Sequence, residues 1–194
     1  IAAKHETDPP GEVYASDNGG VTWNQLAVHL TGKQEGISMI GALARGIFIY
    51  GNGDGIFRSV DAGKTWLKVS AVNPQTRIPV FFHGVHYLGS ANGLLASRDL
   101  GATWQESGKV DVWQGPFFGP NEKEMAVAGK QGIFLTKDAG LTWTKAADLK
   151  SGSKGFSFNP NWFGCYAWDP VNGVVYASTM GNPVFRLALP RAPE

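Results

Sequence analysis

Short apolar runs alternate with polar, glycine-bearing turns along almost the whole chain. Residues 46–51, for example, are rich in Ile, Phe and Tyr, and a turn of Asn, Gly and Asp follows them. Such runs are typical of β-strands, because branched and aromatic side chains fit a pleated surface while Gly, Asn and Asp fit tight turns. The pattern predicts 18 strands, at residues 1–4, 12–16, 22–28, 37–40, 46–51, 55–59, 65–69, 80–83, 85–90, 94–97, 103–106, 113–118, 125–128, 133–136, 142–145, 165–169, 174–179 and 184–187.

One eight-residue pattern, Ser/Thr-x-Asp-x-Gly-x-Thr-Trp, occurs four times, and we call each copy a box. The first residues of successive boxes lie 43, 38 and 39 positions apart. A period of roughly 40–45 residues is typical of a four-stranded propeller blade. The boxes are residues 16–23, with Asn18 at the Asp position, 59–66, 97–104, and 136–143, with Thr136 in place of Ser.

Each box reads as the turn between the third and fourth strands of a unit. Its Asp is short enough to accept hydrogen bonds from backbone N–H groups of its own turn, and the Ser or Thr side chains can help to close it. The Gly can adopt a positive φ, and the Trp offers a large apolar face to neighbouring sheets. We therefore interpret one set of residues as architecture rather than chemistry: Asn18, Asp61, Asp99, Asp138, Trp23, Trp66, Trp104 and Trp143.

The box resembles the Asp-box, or bacterial neuraminidase repeat, of the sialidase-like superfamily. Residues 168–178 also resemble the turn between the first two strands of many Asp-box blades. The resemblance implies an all-β fold, a β-propeller of four-stranded antiparallel blades with about five units, of which the first and last are incomplete. Residues 1–194 are then a single propeller domain. Either it closes as a five-bladed ring, or it is a fragment of a larger propeller completed by a second chain or by another copy in a homo-oligomer.

Composition and charge narrow the function classes. A chain of 194 residues that is 43% hydrophobic can bury a core, and a net charge of +1 without a basic run argues against nucleic-acid or anionic-membrane partners. No apolar run approaches the roughly 18 residues of a membrane span. Cys165 is the only cysteine, either a small buried hydrophobe or a reactive thiol. The start at Ile1 without Met is compatible with a removed export signal or a missing upstream segment, and we expect an extracellular or periplasmic protein.

Propeller topology places candidate binding loops at the end of the strands opposite the boxes. These loops are residues 30–36, 70–79, 107–113 and 147–163, with the shorter turns 52–54, 92–93 and 130–131. Aromatic rings can stack on sugars while amides and charges fix polar groups. The candidate ligand-binding residues on these loops are Arg77, Trp113, Trp162, Asn161, Lys33 and Glu35.

Three function classes remain open. Arg77-Ile78-Pro79 resembles the Arg-Ile-Pro element with which sialidases bind a substrate carboxylate, but it follows the second box, whereas in that family it precedes the first. No catalytic set, metal site or cofactor can be assembled from the sequence. We therefore favour a non-catalytic glycan- or protein-binding propeller over a glycoside hydrolase of the exo-alpha-sialidase type, complete or completed by a partner chain. The third class is a purely structural subunit of an extracellular assembly.

Overall fold

The structure, a computed structural model, describes residues 1–3, 12–26, 37–148, 165–178 and 184–189. Every strand in this part of the chain belongs to one of five antiparallel sheets. The strands are β1 (Ala2–Ala3), β2 (Val13–Ala15), β3 (Asn24–Leu26), β4 (Met39–Ala44), β5 (Ile47–Asn52), β6 (Gly55–Ser59), β7 (Leu67–Ser70), β8 (Val80–Phe82), β9 (Val85–Gly89), β10 (Leu94–Ser97), β11 (Gln105–Ser107), β12 (Gln114–Phe118), β13 (Met125–Gly129), β14 (Gly132–Thr136), β15 (Thr144–Ala147), β16 (Cys165–Asp169), β17 (Val174–Ser178) and β18 (Phe185–Ala188).

Each sheet is a meander in which consecutive strands are neighbours. Three sheets have four strands, β4 to β7, β8 to β11 and β12 to β15. The described strands β1 to β3 and β16 to β18 form three-stranded sheets. The all-β prediction and the order of the strands are confirmed. Ring closure, the number of blades, the single domain and completion by a second chain stay predictions.

The strands that follow the boxes begin two residues later than the sequence pattern predicts. β7 starts at Leu67 rather than at Thr65, and β3, β11 and β15 show the same delay. The reason is local: the backbone N–H of Thr65 donates to the carboxylate of Asp61 and so belongs to the box turn. The Thr-Trp pair therefore ends the turn instead of opening the strand.

Burial falls from the second strand of a sheet to the fourth. All five residues of β9 and of β13 are buried, whereas β7 and β15 each begin with two exposed residues. A strand that is covered on both faces reads as a continuous apolar run, as β13 does with its sequence Met-Ala-Val-Ala-Gly. No helix among the described residues is long and apolar enough to cross a membrane.

The chain divides into two compact units, Ile1–Leu88 with Ala96–Gln105, and Gly89–Leu95 with Glu106–Glu194. In the first unit, Val13, Ile37 and Tyr50 form a buried cluster against which Trp66 packs. The Trp66 and Tyr50 rings meet edge to face, with centroids 4.8 Å apart. In the second unit, one cluster joins the inner strands of two sheets, and its buried residues are Ala128, Ile133, Tyr166, Val175, Ala177 and Leu189.

Two prolines seat the loop between β7 and β8 on the sheet of the first unit. A Cβ atom added at Gly51 would lie 2.4 Å from Cγ of Pro74, and one added at Gly41 would lie 2.4 Å from Cγ of Pro79. The proline rings thus occupy the space that a side chain at either glycine position would need. The backbone N–H of Ile40 also donates to the carbonyl oxygen of Arg77 at 3.0 Å, which fixes the loop further.

We predict that Gly51→Ala destabilises the protein by about 1–3 kcal/mol, because the new methyl group overlaps the Pro74 ring. The double variant Gly51→Ala/Pro74→Ala should recover part of that loss, since the overlapping ring atoms are gone. Urea unfolding of the two variants and of Pro74→Ala alone measures the coupling. Strictly additive effects would contradict the proposed contact.

Candidate functional site

The box at residues 59–66 is closed by one carboxylate. Oδ1 of Asp61 accepts hydrogen bonds from Oγ of Ser59 at 2.8 Å and from the backbone N–H of Thr65 at 2.9 Å. Oδ2 accepts from Oγ1 of Thr65 at 2.6 Å. Oγ of Ser59 in turn accepts from the backbone N–H of Gly63 at 2.8 Å. Both carboxylate oxygens are therefore used to hold the two ends of the turn together.

The other boxes repeat this network, and the first shows how an amide replaces the acid. In the box at residues 16–23, Oδ1 of Asn18 accepts from Oγ of Ser16 at 2.9 Å and from the N–H of Thr22 at 2.9 Å. Nδ2 of Asn18 then donates to Oγ1 of Thr22 at 2.8 Å, so the direction of that one bond is reversed. The geometry survives because Thr Oγ1 can donate or accept.

Each box also contains two successive residues with positive φ. Gly63 is preceded by Ala62 with a φ of 59°, and the same pair occurs at Leu100 (55°) and Ala139 (60°). Left-handed backbone is unfavourable for residues with a side chain. In the first box Gly19 fills this position, with a φ of 70°. In the other three boxes, the hydrogen bonds therefore hold a backbone conformation that the fourth residue does not itself favour.

Hydrogen bonding lowers the pKa values of the box carboxyl groups. The Thr103 hydroxyl, followed by its backbone N–H, lowers the pKa of Asp99 to about 2. The hydroxyls of Thr136 and Thr142 lower the pKa of Asp138 to about 2, and the Thr65 hydroxyl lowers the pKa of Asp61 still further. These carboxyl groups are charged throughout the physiological pH range, because hydrogen bonds from several N–H and O–H groups favour the charged form. They are poor candidates for proton transfer near neutral pH.

The four box tryptophans differ in burial. Trp143 packs on the cluster of Val110, Val112 and Val127, and its Nε1–H donates to the carbonyl oxygen of Gly140 at 3.1 Å. Trp23 makes the corresponding bond to Gly20 at 3.1 Å but remains 47% exposed. The indole N–H thus bonds within its own turn in the first and fourth boxes, whereas the buried Nε1 atoms of Trp66 and Trp104 have no hydrogen-bond partner among the described residues.

The boxes lie at the same end of the strands as the turns between first and second strands. The backbone N–H of Ala62, in a box, donates to the carbonyl oxygen of Gly46 at 3.0 Å, and Ala139 donates to Lys123 at 3.1 Å. Turns 90–93 and 130–131 therefore lie at the opposite end of their sheets. β14 separates the box at Thr136 from the turn at Gly132, and five residues of strand span about 13–17 Å.

A cleft of about 500 Å³ lies at this opposite end in the second unit. Two turns, around Asn92 and Gln131, and the segment that leads from β11 to β12 form its walls. Its lining residues are Ala91, Asn92, Lys109, Val110, Asp111, Gln131 and Phe134. The candidate loops 107–113, 92–93 and 130–131, which the sequence predicts at one end of the strands, each contribute residues to this cleft.

Asp111 organises one wall of the cleft. Its Oδ2 accepts from Nε1 of Trp113 at 2.8 Å and from the backbone N–H of Lys130 at 3.0 Å. The Lys130 ammonium lies 4.8 Å from the centroid of the Trp113 ring. One face of Trp113, which the sequence suggested as a stacking platform, is thus occupied by a cation from the same unit.

The cleft also contains polar groups that have no partner among the described residues. Among the described residues, the Lys109 ammonium and the side-chain amides of Asn92 and Gln131 make no hydrogen bond or ion pair. All three residues are exposed. None of the three is among the six predicted ligand-binding residues, although all three lie on the predicted loops 92–93, 107–113 and 130–131.

The six predicted ligand-binding residues are only partly described. Arg77 is exposed on the loop of the first unit, and Trp113 is half-buried beside the cleft without lining it. Lys33, Glu35, Asn161 and Trp162 lie outside the described residues. Cys165 is exposed, so its interpretation as a buried hydrophobe was wrong. Within the described ranges, no three His, Cys, Asp or Glu side chains come together as ligands for a metal ion.

The fold is similar to that of solved β-propeller proteins. YCF48 bound to D1 peptide has a TM-score of 0.59 at 12% identity, over 91% of this chain and 59% of that chain. An ancestral GH74 enzyme has a TM-score of 0.57 at 16% identity, over 93% and 30% of the two chains. The GH74 enzyme of Niastella koreensis has a TM-score of 0.56 at 19% identity, over 96% and 27%.

This chain thus spans less than two thirds of each of these proteins. At such identities the likeness shows the fold alone. No family model and no curated protein sequence matches the chain.

We predict that Asp99→Asn keeps most of the stability of the protein, while Asp99→Ala costs about 1–2 kcal/mol, because only the amide can still accept from Ser97 and Thr103. Asn18 provides the precedent within the chain. Urea unfolding at neutral pH measures both variants. Equal losses for Asn and Ala would show that the negative charge, rather than the hydrogen-bond geometry, closes the turn.

The lowered pKa of Asp99 predicts a contribution to stability that depends on pH. The folded value, about 2, lies below the unfolded value of about 3.9, so the charged group stabilises the fold above pH 4 and loses that effect as the pH falls towards 2. The difference in Tm between the unsubstituted protein and Asp99→Asn should therefore shrink between pH 4 and pH 2. A difference that stays constant over this range would rule out the linkage.

Proposed function

We propose that the chain is an Asp-box β-propeller, or part of one, that acts outside the cytoplasm as a non-catalytic module binding a protein or glycan. The observation that carries the proposal is the cleft of the second unit, where Lys109, Asn92 and Gln131 present polar groups that no described residue satisfies. Binding sites typically combine an apolar floor with a few such convergent groups. Phe134 and Val110 supply the apolar part here.

The chemistry of the cleft supports binding rather than glycoside hydrolysis. Glycosidases position two carboxyl groups on either side of the scissile bond, about 5–9.5 Å apart. Asp111 is the one acidic residue among those that line the cleft. Its Oδ2 accepts two N–H groups from the protein, an arrangement suited to holding a loop. The other charged residue of the lining is Lys109, a cation that can attract a ligand, so the lining contains no second carboxylate.

The box carboxylates do not offer an alternative catalytic pair. Asp61, Asp99 and Asp138 are hydrogen-bonded within their turns, and their lowered pKa values keep them charged. A general acid needs a pKa close to the working pH. The similarity to GH74 enzymes is a similarity of fold, and it assigns no role to any residue of this chain. YCF48, solved with a peptide, illustrates that a propeller of similar fold can act by binding.

We predict no turnover of fluorogenic sialosides or aryl glycosides by the purified chain, and saturable binding to at least one ligand on peptide and glycan arrays. Phe134→Ala should reduce that binding, because the ring lines the cleft. Phe57→Ala, in the first unit, is the control for a general loss of stability. Sialoside turnover that disappears in Arg77→Ala would replace this proposal with the sialidase alternative.

A further inference from the structure

The Lys109 ammonium is the strongest unmet interaction in the cleft. Among the described residues, no carboxylate lies within ion-pair distance of it. The acidic side chains nearby are already bonded: Asp111 accepts from Trp113 and Lys130, and Oε1 of Glu106 accepts a short hydrogen bond from Oγ of Ser90. A ligand acceptor would therefore meet an ammonium that is neither hydrogen-bonded nor ion-paired to a described residue.

The amides of Asn92 and Gln131 indicate the chemistry of the rest of the ligand. Each amide presents a carbonyl acceptor and N–H donors, which complement the one N–H donor and one C=O acceptor of a peptide unit. The backbone of the turn at Asn92 does not compete for these groups, because its N–H groups at Asn92 and Gly93 donate to Oγ of Ser90, at 3.1 and 3.0 Å. The side-chain amides thus remain available to an extended backbone.

The aromatic surface of the cleft is too limited for a sugar-stacking platform. Phe134 is the one aromatic residue in the lining, and it packs against the Val110, Val112 and Val127 cluster. The neighbouring Trp113 ring is covered on one face by Lys130, and its Nε1–H is bonded to Asp111. The apolar patch of Phe134 and Val110 is better suited to an aliphatic side chain.

We infer that this cleft binds an extended peptide segment with Asp or Glu side chains, one of whose carboxylates pairs with Lys109. This inference rests on the proposed binding function and specifies its ligand. The amides of Asn92 and Gln131 bond to the peptide backbone, and an apolar side chain next to the acidic one packs on Phe134 and Val110. A charge-assisted bond from an ammonium to a carboxylate is stronger than one to a neutral acceptor, which makes the acidic residue the specific element.

A double-mutant cycle between protein and peptide tests the inference. The probes are a fluorescein-labelled octapeptide that alternates Glu and Val, its twin with Gln for every Glu, and a labelled oligogalacturonate as an acidic sugar. Fluorescence anisotropy at low salt, where exposed ion pairs are least screened, gives the Kd values. The protein variants are Lys109→Gln and, as the matched control, Lys137→Gln, an exposed lysine in a box of the same unit.

We expect Lys109→Gln to weaken binding of the Glu peptide by about two- to fivefold, as for an exposed ion pair, and to leave the Gln peptide unchanged. Lys137→Gln should bind both peptides as the unsubstituted chain does. Raising the salt concentration should reduce the preference for the Glu peptide in the unsubstituted chain, whereas the peptide preference of Lys109→Gln should change little with salt.

Three results would overturn the inference. Equal affinity for the Glu and Gln peptides would show that the peptide carboxylate does not contribute to binding. Binding of oligogalacturonate but not of the peptide would show that the ligand is an acidic sugar and not a peptide. Absence of binding by all three probes would reject the acidic peptide. The proposed function has its own test, since a neutral ligand found on the arrays and sensitive to Phe134→Ala would uphold it while this inference failed.

Discussion

The interaction on which the described architecture depends is the pair of hydrogen bonds that one side-chain oxygen accepts inside each box. In the second box, Oδ1 of Asp61 binds the Ser59 hydroxyl before the turn and the Thr65 N–H after it. This clamp ties the end of β6 to the start of the next strand, and it imposes left-handed backbone on Ala62 and Gly63. The clamp is local, because every one of these hydrogen bonds joins residues of the same box.

A clamp at one end of the strands leaves the other end free to vary. The turns around Asn92 and Gln131 contain no box: Oγ of Ser90 accepts from the backbone N–H groups of Asn92 and Gly93, and Oδ2 of Asp111 accepts from that of Lys130. Their exposed side chains do not close the turns, so they can change without loss of the hairpin. The repeated hydrogen-bond network of the boxes and the side chains of the cleft thus lie at opposite ends of the strands, an arrangement in which loops on a rigid scaffold can carry binding.

The sequence predicted the strands well because their signals are local. The apolar runs gave the bounds of β6, β10 and β16 without error, and the box explained their spacing. The delayed start of β7 was missed, since a strand pattern does not reveal that Thr65 donates its N–H to Asp61. The cleft was predicted only as a set of loops. Which side chains line it depends on how two turns and the β11–β12 segment meet, and no periodicity encodes that meeting.

The substitutions in the first and fourth boxes show why a similar fold can form from a different sequence. Replacing Asp by Asn at position 18 reverses one hydrogen bond and preserves the turn, and replacing Ser by Thr at position 136 preserves the hydroxyl that the Gly140 N–H needs. The requirement is thus a pattern of donors and acceptors at a few positions, which many sequences satisfy. The β-propeller fold recurs in the similar solved structures at 12–19% identity, and this recurrence says little about ligands. Function has to be argued from side chains that are not used to hold the fold together. The Lys109 ammonium is such a group, because it lines the cleft and has no partner in the described part of the chain.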